Sequence, residues 1–349
     1  MHFLFDIAHP VDVHFYRLVA EQLKQQDHEI ILVSRRKDIV CDLLDGYGLD
    51  HSCIGLTPKK NKLLQGVELI DRVWRLVRII KERRIGMVLT RNPSGAIAAR
   101  MCGIPSIYDT TDGRVSKIHF VLGRLFATWL TSPESLGEAY GTKHFLYPSQ
   151  LHASYLHTKR FQPDHVVCEE LMRLGFKGVN HAILRFVAFS ASHDHGEKGL
   201  SWAERRKIVA YFKDKGDVFI VSEDPLPADL APYAFPLAPH RFLHALSFAR
   251  CVVGDGVSAC VEAAFLGVPA FLHSSYGDKL SYVQHLREEE GLIERLDPTD
   301  LIAGLEKAWD APKRPLEEKR DKYFSETIDL VDWYCELIET LKNGSEAGH

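Results

Sequence analysis

The sequence predicts an α/β protein made of two Rossmann-like domains, and three observations support this prediction. Short apolar runs alternate with longer helical stretches, a pattern typical of parallel sheets whose strands are joined by crossover helices. The alternation breaks once near the middle of the chain and then begins again. The chain has 349 residues, which is long for one hydrophobic core and suits two. We therefore expect two domains that face each other across a ligand cleft.

The first half, residues 1–150, contains five strand candidates. The apolar runs lie at 2–8, 29–34, 86–90, 105–109 and 129–132. A helix is expected from the first loop to about Lys24, and another from near Asp38. These elements predict the N-terminal domain.

The second half repeats the pattern after a break. Residues 151–180 carry prolines, histidines and mixed polarity, which favours a linker. The second domain is predicted at 181–312, with strand candidates at 185–191, 217–223, 250–256 and 269–273. Residues 313–343 are predicted to form a C-terminal helical segment, because Trp333, Leu337 and Leu341 are spaced along one face.

Composition and charge exclude several classes of protein. The chain is 46% hydrophobic and 26% charged, with a formal net charge of −4, so it has no overall basic field for nucleic acid. Its seven cysteines are scattered, which is typical of reduced thiols in the cytosol. No apolar run reaches the roughly 18 residues that span a bilayer, and the N-terminus does not resemble a signal peptide. We expect a cytoplasmic protein.

The strongest motif is GDGVSACVEAAFLGVP at 254–269. It follows an apolar strand and opens a helix, so the backbone amides of Gly256, Val257 and Ser258 are expected to face a ligand. Free amides and the helix dipole at such a start favour a pyrophosphate. Glu262 lies one turn after Ser258 and is placed to accept hydrogen bonds from ribose hydroxyls. The alternative is an ordinary strand–turn–helix with a solvated glutamate.

A second candidate loop, FSASHDHGEKGLS, occupies residues 189–201. Ser192 and His193 are expected near the phosphates, and Lys198 is placed to stabilise the charge of a leaving diphosphate without a metal. His193, Asp194, His195 and Glu197 also suggest a metal site, but they lack the spacing of a defined zinc motif. A plain polar loop is the other alternative.

The first loop of the chain, DIAHPVDVHF at 6–15, supplies candidate catalytic groups. A histidine titrates near neutrality and can accept a proton from an acceptor hydroxyl. His14 is the first choice for this base and Asp12 the second, with His9 on the acceptor rim. Asp12 is equally well placed to cap the helix that follows.

Two further loops complete the predicted acceptor rim. Arg91 and Asn92 precede a helix in TRNPSG, and Asp109, Asp112 and Arg114 cluster in DTTDGR. These side chains suit recognition of a hydroxyl acceptor. They are also residues that commonly occur as helix caps and in turns.

Residues 63–84 are predicted to form an amphipathic helix. Ile70, Val73, Trp74 and Val77 are spaced as one apolar stripe, and Arg72, Arg75 and Arg78 recur on another side. One interpretation is peripheral contact with the anionic inner face of the cell membrane. The favoured interpretation is a helix packed on its sheet with a solvated face, since acidic residues dilute the positive charge.

Four segments together resemble a bacterial and archaeal family classed as a domain of unknown function, family 354, with a glycosyltransferase-B-like organisation. The segments are FDIAHPVDVHF (5–15), YLHTKRFQPD (155–164), RFVAFSASHDHGEKGLS (185–201) and GDGVSACVEAAFLGVPAF (254–271). The last is also similar to the nucleotide-sugar half of glycosyltransferase-B enzymes and of nucleotide-sugar 2-epimerases. This resemblance implies that Glu262 holds the ribose, that the turn at 256–258 holds the pyrophosphate, and that a C-terminal helix crosses back to the first domain.

The resulting functional prediction is transfer of a sugar from a nucleoside diphosphate carrier, with uridine the expected base. The acceptor is expected to be a hydroxyl on a glycan or lipid-linked acceptor in cell-surface glycan biosynthesis, and no metal or other cofactor is required. The alternatives are a nucleotide-sugar 2-epimerase of the same fold and a non-catalytic module that binds sugar nucleotides or glycans.

Overall fold

The computed structural model describes residues 1–35, 39–55, 62–188 and 199–346, with the backbone alone at 62–65 and 344–346. The chain forms two compact units. One unit contains Met1–Tyr155 together with the chain from Thr327 onward, and the other contains Leu156–Glu326. The first unit is therefore built from both ends of the chain.

The first unit is centred on a sheet of seven parallel strands in the order β3-β2-β1-β4-β5-β6-β7. The strands are β1 His2–Ile7, β2 Glu29–Arg35, β3 Ser52–Ile54, β4 Met87–Thr90, β5 Ser106–Asp109, β6 Trp129–Pro133 and β7 His144–Tyr147. The helices before the second unit are α1 Pro10–Gln25, α2 Val40–Gly46, α3 Lys62–Glu82, α4 Pro93–Cys102, α5 Ile118–Phe126 and α6 Leu151–Leu156.

The second unit has five parallel strands in the order β12-β11-β10-β8-β9. They are β8 Ala182–Phe186, β9 Val218–Ser222, β10 Cys251–Gly254, β11 Ala270–Leu272 and β12 Glu294–Arg295. The helices are α7 Val166–Arg173, α8 Trp202–Lys213, α9 Phe242–Ser247, α10 Val257–Phe265, α11 Ser281–Glu288, α12 Leu301–Asp310 and α13 Lys313–Glu326.

The prediction of two Rossmann-like domains is confirmed. Both sheets are parallel, and their central strands lie between covering helices, so these strands are buried on both faces and appear in sequence as continuous apolar runs. Leu4 and Val88 in the first unit are fully buried. Leu184 and Val253 hold the same position in the core of the second.

The predicted linker at 151–180 is wrong for most of its length. Residues from Leu156 belong to the second unit, and they include α7. Val167 and Cys168 of α7 pack with Ala245 in a buried apolar cluster. Because these side chains are buried, the segment is part of a domain core, although its mixed composition is typical of an interdomain linker.

The predicted C-terminal segment, 313–343, divides between the two units. α13 stays with the second unit, where Phe324 stacks on Phe265 with ring centroids 5.7 Å apart. The last helix, α14 Leu330–Glu346, returns to the first unit and packs on α1. Tyr334 contacts the Phe15 ring at 5.2 Å, and His28 lies 2.7 Å from Glu339. The predicted return of the chain is correct, but it begins near Thr327.

The apolar and basic faces of helix α3 differ from those predicted. Val73 and Val77 are buried against the sheet, but Ile70 and Trp74 are exposed, so the four residues do not form one buried stripe. Arg72, predicted on the basic face, instead points inward and pairs with Asp6. None of the described helices combines the length and apolar character needed to cross a bilayer.

Candidate functional site

The order of strands in the second unit identifies the edge where a ligand would bind. β8 and β10 are neighbours in the sheet, but the chain leaves them in opposite directions, towards β9 and β11 respectively. Loops that diverge in this way leave a crevice at the carboxyl ends of the strands, where open α/β sheets bind their ligands. Residues 254–258, at the end of β10, lie at this position.

Two glycines at the end of β10 are required by the close approach of Arg185. A Cβ atom at Gly254 would lie 2.1 Å from the backbone oxygen of Arg185, and one at Gly256 would lie 2.1 Å from its Cγ. Gly256 is also the N-cap of α10. Because glycine offers no side-chain acceptor, the cap does not occupy the first amides of the helix, which suit an anion.

The predicted donor residues that are described lie along this helix. Val257 and Ser258 form its first turn and are half-buried. Glu262 follows one turn later and is buried. The turn at 256–258 and the Glu262 carboxylate therefore lie along one helix, in the predicted order. The roles of these residues towards a nucleotide stay predictions.

Arg185 supplies a cation beside the start of α10. Its guanidinium donates to Glu223 Oε1 at 2.7 Å and to the carbonyl of Phe186 at 2.9 Å. Glu223 also accepts from the backbone amide of Ala188 at 3.2 Å. No sequence signal marks Arg185 as a site residue, because it lies within a strand, where a side chain normally faces a helix layer.

Asp255, between the two glycines, is buried and binds groups of α8 and of the loop after β8. Its carboxylate accepts from the amides of Val187 at 2.7 Å and Leu200 at 3.1 Å, and from Arg205 at 2.8 Å. Burial raises the pKa of Asp255, and the charge of Arg205 opposes that rise. Asp255 thus holds the loop after β8 to the loop after β10. The Gly-Asp-Gly spacing is a signal for such a turn, but nothing local in the sequence indicates Arg205.

Ser192, His193 and Lys198 lie outside the described residues, as does the alternative metal cluster at 193–197. Their predicted contacts with phosphates stay predictions. The described chain resumes at Gly199, and Ser201 then caps α8 in a reciprocal arrangement with Glu204.

In the first unit, the loop after β1 forms a helix cap. His9 is the exposed N-cap of α1, and its Nδ1 accepts from the amide of Val11 at 3.3 Å. Asp12 accepts from the amides of His9 at 2.9 Å and Ala8 at 3.1 Å. Asp12 therefore has the capping role that was its alternative, as the N3 residue of a capping box whose N-cap is His9.

Asp12 also belongs to a buried charge cluster that joins three strand ends. Arg91, after β4, lies 3.1 Å from Asp12 Oδ1 and 3.2 Å from Asp109 Oδ1. Asp109, at the end of β5, accepts from Thr131 at 3.0 Å and Tyr147 at 3.1 Å. Burial raises the pKa of Asp12 to about 6, although Arg91 opposes the rise, and burial also raises the pKa of Asp109. Three residues predicted from separate loops thus lie together.

His14 is buried within aromatic side chains. The hydroxyl of Tyr47 lies 3.1 Å from its Nδ1, and the ring stacks on Tyr155 at 5.0 Å. Since Nδ1 is engaged by Tyr47, proton acceptance by His14 would have to take place at Nε2. A substrate hydroxyl would therefore have to reach the imidazole ring of His14, which is largely enclosed by other side chains.

The other rim residues lie at turns. Asn92 is the half-buried N-cap of α4, but its side chain makes no capping hydrogen bond. Asp112 is half-buried and accepts from the hydroxyl of Thr111 at 2.9 Å. Arg114, predicted to join the Asp109–Asp112 cluster, is exposed and lies 3.3 Å from Glu138 instead. Asp109 faces inward to Arg91, which also donates to the hydroxyl of Thr111 at 3.0 Å, so Arg91 links the two loops.

A second buried ion pair below the rim was not predicted. Asp6 in β1 pairs with Arg72 of α3, and the hydroxyls of Thr90 and Ser94 lie 3.1 Å from it. Gly95 allows this approach, since a Cβ there would lie 2.8 Å from Asp6 Oδ2. The pair joins α3 to the strands β1 and β4. The two residues are far apart in sequence, and neither position carries a local motif.

Comparison with known proteins gives the fold but no sequence family. No family model matches the chain, and no curated protein matches it in sequence. Among solved structures it is similar to the UDP-GlcNAc 2-epimerase of Methanocaldococcus jannaschii in complex with UDP-GlcNAc and UDP, at 12% identity over 90% of this chain and 94% of that one, with a TM-score of 0.62. The spinosyn forosaminyltransferase SpnP has 12% identity, covers 98% and 99% of the two chains, and has a TM-score of 0.61.

The glycosyltransferase VinC, solved with dTDP, is 14% identical over 98% of this chain and 100% of that one, with a TM-score of 0.57. At such identities the likeness shows the fold alone. The chain therefore has two Rossmann-like domains of the glycosyltransferase-B architecture, which occurs in sugar transferases and in sugar-nucleotide epimerases. The resemblance to family 354 stays a prediction.

Proposed function

We propose that this protein is a glycosyltransferase that transfers a sugar from a nucleoside diphosphate carrier to a hydroxyl acceptor. Uridine is the expected base of the carrier. The observation that carries the proposal is the start of α10, where Gly256 caps the helix and Arg185 lies against it. Helix amides, the positive end of the helix dipole and a guanidinium are all suited to a pyrophosphate. Glu262, one turn further on, would accept the ribose hydroxyls.

The charge of the leaving diphosphate would be met by these groups together with Lys198. A metal is therefore not part of the proposed reaction. The sugar acceptor is proposed to be a glycan or a lipid-linked glycan.

The acceptor hydroxyl needs a base, and His14 is the proposed one. For Nε2 to accept the proton, Nδ1–H must donate to the Tyr47 oxygen, 3.1 Å away. Tyr47 would then select the tautomer in which Nε2 is basic. Asp12 is the second candidate, because a pKa of about 6 suits proton transfer near neutrality, but both of its oxygens already have partners.

Nucleotide binding is tested with UDP and uridine, by calorimetry on the purified protein. We expect UDP to bind and uridine to bind more weakly. The variant Arg185→Gln should weaken UDP binding roughly tenfold, the effect of losing one charge-assisted hydrogen bond. Arg206→Gln is the matched control, because Arg206 forms an exposed ion pair with Asp229 elsewhere in the same unit. Equal UDP affinity for wild type and Arg185→Gln would refute the assigned phosphate position.

Epimerisation is the second candidate, and the raised pKa values of Asp12 and Asp109 favour it. A carboxyl group such as Asp12, whose pKa lies at about 6, can exchange a proton near neutral pH and so take part in acid–base chemistry on a sugar ring. Incubation with a UDP-sugar alone in D2O separates the two reactions. Epimerised, deuterated sugar without an acceptor indicates an epimerase, whereas a transferase needs an acceptor for turnover. A non-catalytic module would bind UDP, retain that binding in His14→Ala, and give no product in either assay.

A further inference from the structure

The helix α5 exposes an apolar stripe to solvent. Its Gly123 packs so closely on the sheet that a Cβ there would lie 2.3 Å from the Tyr108 ring. On other positions of the helix, Ile118, Val121 and Leu125 are between 58% and 69% exposed. Their spacing of three and four residues places them on one side of the helix. Such a stripe in a monomeric protein indicates a surface that another structure covers.

The helix α3 carries a second stripe of the same kind. Val67, Ile70 and Trp74 are between 54% and 60% exposed and have the same spacing. Met101 on α4 is also exposed, and α4 packs against both α3 and α5. These three helices precede β4, β5 and β6, which are neighbours in the sheet, so right-handed crossovers put all three on one face. We call this face, with its two stripes and Met101, the apolar face.

Positive charge surrounds the apolar face. The exposed cations on or next to the three helices are Arg75, Arg78, Lys81, Arg83, Arg84, Arg100, Lys117 and Arg124. Asp71 and Glu82 of α3 pair with Arg75 and Arg78, so the net positive charge comes from the other six cations. The chain as a whole carries a formal net charge of −4, so this positive face is a local feature.

We propose that the apolar face docks on an anionic lipid bilayer. The stripes of α3 and α5 would enter the boundary between headgroups and acyl chains, and the surrounding cations would meet lipid phosphates. A second copy of this chain fits less well, because two such faces would bring like charges together. The proposal concerns the first unit only and does not depend on nucleotide binding.

The test measures sedimentation of the full chain with vesicles of phosphatidylcholine, with and without phosphatidylglycerol. We expect binding to the anionic vesicles that weakens with salt, and little binding to phosphatidylcholine alone. The triple variant Ile118→Ser, Val121→Ser and Leu125→Ser should lose at least roughly tenfold in affinity. Ile302→Ser is the matched control, since Ile302 is a half-exposed residue of α12 in the second unit. A change in affinity as large for Ile302→Ser as for the triple variant would overturn the proposal.

Two further measurements keep the test independent of folding defects. The pair Lys117→Glu and Arg100→Glu leaves the apolar side chains in place and should also weaken binding to anionic vesicles. Trp74 is the exposed member of five tryptophans, so brominated lipid should quench its emission in wild type, and the quenching should be much smaller in Trp74→Phe. Absence of wild-type binding to anionic vesicles, or a lipid-free dimer that the triple variant abolishes, would overturn the proposal.

Discussion

At the scale of single residues, buried charges in the first unit are held by opposite charges from distant parts of the chain. Arg91 lies between Asp12 and Asp109, and Arg72 pairs with Asp6. Loss of Arg91, or of either member of the Asp6–Arg72 pair, leaves a buried charge without its counter-charge, which typically costs roughly 3–5 kcal/mol. These pairs therefore fix the strand ends at the candidate acceptor site.

Asp12 should make stability depend on pH in a defined window. Burial raises its pKa from 3.8 to about 6, so the folded state holds this proton more tightly than the unfolded state. The contribution of Asp12 to the free energy of unfolding is then greatest at acidic pH and falls as the pH rises from about 4 to about 6. Urea unfolding at several pH values should show a shallower fall for Asp12→Asn than for wild type. Asp71→Asn, at a partly exposed helix pair, should keep the wild-type slope, and an identical slope in all three proteins would contradict the assignment.

At the scale of elements, the junction between β10 and α10 depends on glycine. Gly254 packs against the backbone of Arg185 in the neighbouring strand, where no rotation of a side chain can make room. The same close packing presents Arg185 to the start of the helix. The geometry of the candidate phosphate site is thus a consequence of strand pairing in the second sheet.

Gly254→Ala should therefore destabilise the protein by about 1–3 kcal/mol, the usual cost of overpacking, and should weaken UDP binding. Gly66→Ala is the control, because Gly66 lies exposed in α3, and no atom outside its own stretch of helix lies within 4 Å of the added methyl group. The control should be neutral or gain up to about 1 kcal/mol from helix propensity. Urea unfolding measures both effects, and equal stability of the two variants would contradict the close contact at Gly254.

At the scale of the whole molecule, the first unit is discontinuous in sequence and the second is continuous. α14 covers α1, and its Tyr334 and Ile338 are fully buried. A fragment that ends at residue 155 would expose the partners of these side chains on α1. The C-terminal helix is thus part of the first core.

We expect the fragment 156–326 to fold alone with a cooperative thermal transition. The fragment 1–155 should lack such a transition and should regain it when residues 327–349 are fused to its C-terminus through a flexible linker. Circular dichroism during heating measures both outcomes. Cooperative unfolding of 1–155 by itself would show that α14 is not required for the first core.

The sequence alone determined the fold class, the order of most strands and helices, and the strand–turn–helix at 251–265. These features follow from local patterns, because the apolar period and the turn residues are readable within short windows. The capping role of Asp12 is likewise predictable from the residues of the first turn of α1. The roles of Glu262, Lys198 and His14 towards a substrate stay predictions.

Only the tertiary structure decided which charges meet and which apolar residues stay exposed. Arg185, Arg205 and Arg72 carry no motif, and their partners come from strands and loops far away in sequence. The exposed side of α3 is not predictable from its sequence for the same reason. A helical period shows which residues share a face, but the neighbours that cover that face are set by strand order and crossover direction, which are properties of the assembled sheet.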